Sequence, residues 1–350
     1  MPLLARMLVA PVFIDIRPGA VAGLGALLAE LRIARQGRIA VAVGPGQGDN
    51  ILGELRIEGA EAFRVPDGRL DSAVTLGRQL RSSQFEAIAG IGGGKTIDVA
   101  KFAAHMAGIP MVAVTTSLGH DGIASPVSTL NHESGTGSYG VVMPVAVIVD
   151  LDRVRHAAPS LSTAGIGDAI SDLSAVADWE LAAVDIGEPV DGLAVAMARS
   201  AALSVLHQPG HARSDQFLKV LAESLILSGM AMGVAGSSRP ASGGDHEIMH
   251  AINQLHPGTA SHGELAGVGA LFCTHLREDF EQAELISECL RRHGLPRTPS
   301  DLGLSHAEFA QAVAYAPRTR PGRYTILERL ELSEREIGER VDAYHKAVMG

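Results

Sequence analysis

Four short runs, apolar nearly throughout, constrain the fold more than any other feature: "RIAVAVG" at 38–44, "EAIAGIGGG" at 86–94, "PMVAVTT" at 110–116 and "VAVIVDL" at 145–151. A strand with one face in water alternates apolar and polar residues, whereas a strand covered on both faces is apolar along its length. Strands of that kind belong to parallel sheets flanked by helices, and helix-like stretches such as "DSAVTLGRQLRSS" and "TIDVAKFAAHMAG" separate the runs. The first half therefore reads as a doubly wound, Rossmann-like α/β domain with a mainly parallel sheet. The opening "MPLLARMLVAPVFIDI" reads as one more strand. Arg6 interrupts it and Asp15 closes it, which is not the order of a secretion signal.

Past about residue 160 the strand signal stops and apolar residues recur at helical spacing, as in "DQFLKVLAESLILSGMAMGVAG" from 215 to 236. The second half reads as an all-helical domain. A length of 350 residues fits two domains, expected at 1–155 and 156–350, with the crossing near "LDRVRHAAPSLST". The net charge of −10 comes without a run of Lys or Arg, which points away from nucleic acid and anionic membrane and toward a small molecule. Cys273 and Cys289 form no CxxC motif, so a reducing, cytoplasmic setting is expected. No run of about eighteen apolar residues suggests a membrane-spanning helix.

The helical half gathers His246, His250, His256 and His262 within "DHEIMHAINQLHPGTASHGE". His246 and His250 are four apart and share one helix face. His262 lies beyond a Pro257-Gly258 break, at the start of a second helix that returns toward the first. A catalytic metal site usually takes three protein ligands, and Asp168 in "TAGIGDAISDLSAVADWELA" is the candidate third. It follows a Gly-Ile-Gly stretch expected to turn, which places its carboxylate at a helix start, where a capping role fits equally well. One carboxylate and two imidazoles suit zinc, iron or nickel alike.

In the α/β half, "GIGGGKTIDVAK" follows a strand and opens a helix. Gly92, Gly93 and Gly94 let a ligand approach the backbone, and the helix N-terminus favours a diphosphate, although the pattern is neither GxGxxG nor a Walker loop. "GPGQGDN" at 44–50 ends another strand and suits the adenosine side of a dinucleotide. "TTSLGHDGIASP" at 115–126 begins where a third strand ends. Thr115, Thr116 and Ser117 suit a nicotinamide or phosphate there; Asp121 and Ser125 suit a polyol hydroxyl, with a capped turn as the alternative for Asp121.

Taken together, "GGGKTIDVAKFAA", "TTSLGHDGIASP", "GIGDAISDLSAVADWELA", "SGMAMGVAGSSRPASGGDHEIMHA", "HGELAGVG" and "RPGRYTIL" appear in the order expected of the sn-glycerol-1-phosphate dehydrogenases. The chain resembles that family over nearly its whole length, within the superfamily of iron-containing alcohol dehydrogenases, glycerol dehydrogenases and dehydroquinate synthases. The resemblance implies a dehydroquinate synthase-like fold, with a dinucleotide-binding α/β domain and a helical metal-binding and substrate domain. It implies NAD or NADP, and one divalent ion, zinc foremost with nickel or iron as alternatives, on Asp168, His246 and His262. It places Gly92 to Gly94, Lys95, Thr96 and Asp98 at the diphosphate, Thr115, Thr116 and Ser117 at the nicotinamide, and Asp121 and Ser125 near substrate. His250 is the expected proton-handling neighbour of the metal, and Arg239 in "SSRPASG" the expected phosphate grip. The implied reaction interconverts dihydroxyacetone phosphate and sn-glycerol 1-phosphate in a homodimer or larger homo-oligomer. Alternatives are another polyol or polyol-phosphate dehydrogenase, or a dehydroquinate synthase-like cyclase, for which glutamate would be expected in place of Asp168.

Overall fold

A computed structural model describes residues 9–30, 33, 38–55, 57, 59–133 and 135–349. The chain divides into two compact units, residues 1–158 and residues 159–350. In the first unit β1 (Phe13–Arg17), β2 (Ile39–Val43), β3 (Ala60–Arg64), β4 (Ala87–Gly92), β5 (Met111–Thr115) and β8 (Ala146–Asp150) form one sheet in the order β1-β8-β5-β4-β2-β3. All its pairings are parallel. Helices α1 (Leu24–Glu30), α2 (Gln47–Glu54), α3 (Leu70–Ser82) and α4 (Gly94–Ala107) carry the crossovers, and α5 (Leu151–His156) follows β8. The central strands β2, β4, β5 and β8 are buried at every residue, which is why their sequences lack alternation.

The remaining strands lack this fully buried pattern. The opening strand is confined to Phe13–Arg17, and the part of that reading on residues 1–8 lies outside the described residues. The edge strand β3 is mostly exposed and reads "AEAFR". An antiparallel hairpin, β6 (Val127–His132) and β7 (Gly135–Gly140), forms a second, two-stranded sheet. Its strands are rich in Gly, Ser and Thr, and only Ser128 and Leu130 of β6 are buried.

The sheet changes direction between β2 and β4. From β2 the chain passes to β3 on one side, and from β4 it passes to β5 on the other. Open α/β sheets place their ligands outside the carboxyl ends of strands at such a point. The turn after β2 meets the end of β4 there: Gly44 N donates to Ile91 O at 3.1 Å. The Thr96 hydroxyl lies beneath Gly44 and Gly92, where a Cβ on Gly44 would come within 2.2 Å of Oγ1.

The second unit is helical, with α6 (Pro159–Ile186), α7 (Gly192–His207), α8 (Asp215–Ala235), α9 (Gly244–Leu255), α10 (His262–Leu276), α11 (Phe280–Arg292), α12 (His306–Tyr315), α13 (Ile326–Leu330) and α14 (Glu334–Met349). By length and composition α8 is apolar enough to cross a membrane, but Phe217, Leu218, Leu221 and Leu225 are buried inside the unit, as in the core helix of a globular protein. The expected turn at Gly165-Ile166-Gly167 is absent. Helix α6 runs through it, and Asp168 stands well inside 28 helical residues. Gly167 serves packing instead. A Cβ on Gly167 would lie 2.1 Å from the Gly263 carbonyl oxygen and 3.3 Å from Gly267 Cα, so α6 and α10 meet backbone to backbone. A Cβ on Gly269 would lie 2.5 Å from Asp245 O, which sets α9 equally close to α10.

Gly167→Ala should therefore destabilise the helical unit by about 1–3 kcal/mol through overpacking. Gly338→Ala, in α14 with open space at its Cβ position, should instead gain up to about 1 kcal/mol from helix propensity. Denaturant unfolding of the two variants beside the parent checks both signs.

Candidate active site

Each of the three candidate ligands is a chain neighbour of one of these contacts. Asp168 comes after Gly167, His246 comes after Asp245, and His262 precedes Gly263 at the first turn of α10. Ser261 caps that helix, and the Glu264 carboxylate accepts back from the Ser261 amide at 2.9 Å, fixing the helix start that carries His262. The three donor atoms form a compact triangle. His246 Nε2 and His262 Nε2 are 3.2 Å apart, and Asp168 Oδ1 lies 3.1 Å from His262 Nε2 and 3.6 Å from His246 Nε2. Ligands about 2.1 Å from one ion at tetrahedral angles are separated by about 3.4 Å, so the triangle fits a divalent cation.

The surroundings point the same way. Asp245, fully buried, accepts a hydrogen bond from His246 Nδ1, which leaves Nε2 facing Asp168 and His262. A carboxylate that fixes the tautomer of a ligating histidine is a frequent support of metal sites. Burial pushes Asp168 up and would favour its protonated form, but the attraction of His262 and hydrogen bonds from both imidazoles outweigh it and hold the carboxyl well below the usual range. Burial likewise lowers His246, yet Asp245 first and Asp168 second raise it to about 9. A proton thus resides among these groups where a cation would replace it.

His250 lies one turn beyond His246, its ring centroid 6.5 Å away. Its Nε2 receives a hydrogen bond from Arg320 Nη2 at 3.0 Å. Guanidinium only donates, so Nε2 carries a lone pair and the ring proton is on Nδ1. Burial, then Arg320, His246 and His262, hold His250 far below the ordinary imidazole value. His250, the expected proton-handling neighbour, is therefore a neutral ring whose Nε2 accepts from Arg320.

Arg239 also departs from expectation. It is 5% exposed, its Nε donates to Glu188 Oε1 at 2.7 Å and Nη1 to the Tyr324 carbonyl at 2.8 Å, and Nη2 pairs with Glu188 Oε2. The guanidinium expected to grip phosphate is already neutralised. The cations beside His250 are Arg320 and Arg323, which both donate to Ser238 Oγ, at 3.2 and 2.9 Å. Their place in "RPGRYTIL" was the available signal.

In the first unit Gly93 caps α4 and Gly94 begins it. The first intrahelical bonds run from Thr96 and Ile97 to Gly93 O, leaving the Gly94 and Lys95 amides at the open helix start. His120, absent from the expectations, packs over this turn: a Cβ on Gly94 would fall 2.1 Å from its Nε2. Lys95 is exposed. Asp98, expected at the diphosphate, is instead 3% exposed and pairs at 3.1 Å with Lys101, a fully buried lysine. Lys101 Nζ also donates to Gly122 O at 2.7 Å, Ser125 O at 3.3 Å and Val127 O, and so fastens the 120–127 turn to α4. Thr115 Oγ1 donates to Ser117 O at 2.6 Å, and Thr116 N to Gly92 O at 3.0 Å, which holds the two loops side by side. Ser125 is buried in its turn, and Asp121 starts a single 3₁₀ turn capped by His120 Nδ1, which accepts from Gly122 N.

The chain is similar in sequence and in fold to known dehydrogenases. Residues 15–159 match the family model for iron-containing alcohol dehydrogenase. A glycerol-1-phosphate dehydrogenase, NAD(P)+, of Methanothrix thermoacetophila is 37% identical over 320 residues, covering 88% of each chain. One of Methanothermobacter thermautotrophicus is 34% identical over 333 residues, covering 93% of this chain and 94% of its own. Among solved structures, a probable glycerol dehydrogenase from Sinorhizobium meliloti superposes with a TM-score of 0.77 at 21% identity over 99% of both chains. A sulfoacetaldehyde reductase from Bifidobacterium kashiwanohense superposes at 0.72 with 16% identity over 99% of both, and these two show likeness of fold. At such identity and coverage the chain belongs to the glycerol-1-phosphate dehydrogenase family, within the iron-containing alcohol dehydrogenases.

Proposed function

We propose that the protein interconverts dihydroxyacetone phosphate and sn-glycerol 1-phosphate, exchanging a hydride between C2 and the nicotinamide of NAD or NADP. The observation that carries this reading is the Asp168–His246–His262 triangle, with edges of 3.1 to 3.6 Å, in a chain of this family. A divalent ion held there, zinc foremost, supplies Lewis-acid polarisation of the C2 oxygen, and the dinucleotide supplies or takes up the hydride.

The residues of the chain prepare that chemistry. Asp245 holds the His246 tautomer that offers Nε2, and Asp168 contributes the negative charge that two neutral imidazoles lack. The Gly92–Gly94 turn and the start of α4 present backbone amides to a diphosphate. Thr115, Thr116 and Ser117, fixed by their own hydrogen bonds, line the nicotinamide side in this proposal, and Ser125 supports the same loop. Reduction of the ketone needs one hydride and one proton. His250 has no proton on Nε2, so the proton is proposed to come from its Nδ1–H or from a water chain, with Asp121 proposed as the catalytic group that contacts the substrate hydroxyls. Two buried free thiols, Cys273 and Cys289, support a reducing, cytoplasmic setting, and a homodimer or larger homo-oligomer is the proposed assembly.

The direct test is oxidation of NADH and NADPH by metal-loaded protein with dihydroxyacetone phosphate, beside dihydroxyacetone, with chiral identification of the product. Preferential turnover to sn-glycerol 1-phosphate is expected. Turnover of neither, with a full metal complement, would move the substrate to other polyol phosphates or to a cyclising sugar phosphate. Asp168→Ala should abolish stoichiometric metal binding while NADH binding persists, because the dinucleotide residues belong to the other unit. Metal analysis after gel filtration and a fluorescence titration with NADH check the two halves. Because metal uptake displaces the proton that Asp245 and Asp168 hold on His246, apparent zinc affinity should rise about tenfold per pH unit toward about pH 9. Calorimetry in buffers of different ionisation enthalpy counts the released proton, and a pH-independent affinity would contradict the assignment.

A further inference from the structure

Arg320 and Arg323 make no ion pair with a carboxylate among the described residues, unlike Arg239 and Arg277 of the same unit. Arg239 is paired with Glu188, and Arg277 lies 2.6 Å from Asp178. The partners of Arg320 and Arg323 are neutral acceptors: the Ser238 hydroxyl for both, His250 Nε2 for Arg320, and the Ser242 carbonyl for Arg323. Sharing one hydroxyl, at 3.2 and 2.9 Å, forces the two cations together.

Their convergence is built into the backbone. "RPGR" folds as a turn in which Arg323 N donates to Arg320 O at 3.1 Å, and Gly322 sits at φ 86°, a conformation side-chain-bearing residues rarely adopt. Both arginines are only half-buried and open to a ligand. Two like charges brought together with no carboxylate at ion-pair distance are unfavourable alone, and an anion that accepts from both relieves the arrangement. Arg320 is joined through His250 to the helix face that carries His246.

We propose that Arg320 and Arg323, converging on Ser238, form an anion subsite for the phosphomonoester of the substrate. The inference rests on the reading of this site as one for a phosphorylated polyol, and it assigns the phosphate to these two arginines in place of Arg239. Planar guanidinium forks suit the oxygens of a dianionic phosphate, and His250 keeps Arg320 aimed by accepting from its Nη2.

The test combines two readouts on metal-loaded protein: calorimetric binding of inorganic phosphate, and the kcat/KM ratio of dihydroxyacetone phosphate to dihydroxyacetone. Arg320→Gln and Arg323→Gln should each weaken phosphate binding at least tenfold and lower the ratio by roughly 100-fold, mainly through KM, at unchanged metal content. The corresponding lysine variants should recover part of both. Arg239→Gln should lower the melting temperature without changing the ratio. Unchanged phosphate binding and an unchanged ratio in folded Arg320 and Arg323 variants would overturn the subsite and leave the proposed function standing. Loss of phosphate binding in those variants, in a protein that does not reduce dihydroxyacetone phosphate, would overturn the proposed function and support the subsite. Should the glutamine variants lose metal or unfold, folded lysine variants with parental KM and phosphate affinity would count against it.

Discussion

The backbone contact between Gly167 and Gly263 is the constraint on which the helical unit depends. Helices that carry ordinary side chains at their contact pack with axes 8–10 Å apart, a spacing set by interleaved side chains. Here one helix presses a glycine against the carbonyl of another, with no room for a Cβ. The residues next to these glycines, Asp168 and His262, are thereby brought within 3.1 Å across the two helices. Gly269 against Asp245 does the same for the third helix and His246. The ligand triangle is thus a consequence of where side chains are missing.

Electrostatics completes what packing begins. The site concentrates Asp168, Asp245 and Glu247, but they do not act alike. Asp168 is held ionised by two imidazoles, while Glu247 is pushed up to about 9 by burial, then by Glu328 and Asp178, and is a neutral acid near pH 7. Asp178 supports α9 by a different route: its Oδ2 accepts from Gly244 N at 2.8 Å and its Oδ1 from Ile326 N at 2.8 Å, beside Arg277. The buried acids therefore divide into one held between two imidazoles, one that sets a tautomer, one that joins helix ends and one that stays protonated.

Much of this was legible before the structure, for physical reasons. Strands buried on both faces must be apolar, so β2, β4, β5 and β8 announced themselves; β3 and the β6–β7 hairpin, exposed or rich in small polar residues, obey no such requirement. Histidines four apart on a helix, followed by a Pro-Gly break, sufficed to bring His246 and His262 together. The Gly-Ile-Gly before Asp168 misled because a glycine that permits a turn and a glycine that permits contact look identical in one dimension; only the carbonyl of Gly263 distinguishes them. Lys101 was invisible in the same way, since a lysine in a helical stretch is ordinarily solvated and nothing local reveals the three carbonyls that receive it.

Arg239 shows the same limit for charge. "SSRPASG" and "RPGRYTIL" each offer cations near the histidine helix, and sequence ranks them only by proximity to it. What makes a guanidinium available to a ligand is the absence of a carboxylate on it, a property of the folded chain. Glu188 lies 51 residues before Arg239 and claims both edges of its fork. Arg320 and Arg323, spaced by a Pro-Gly turn, have a serine hydroxyl, an imidazole and a carbonyl, all of which a phosphate oxygen outcompetes as an acceptor. Identifying a binding cation therefore begins with locating every counter-ion in the fold, and here it singles out two arginines without one that converge on a single hydroxyl beside the histidine helix.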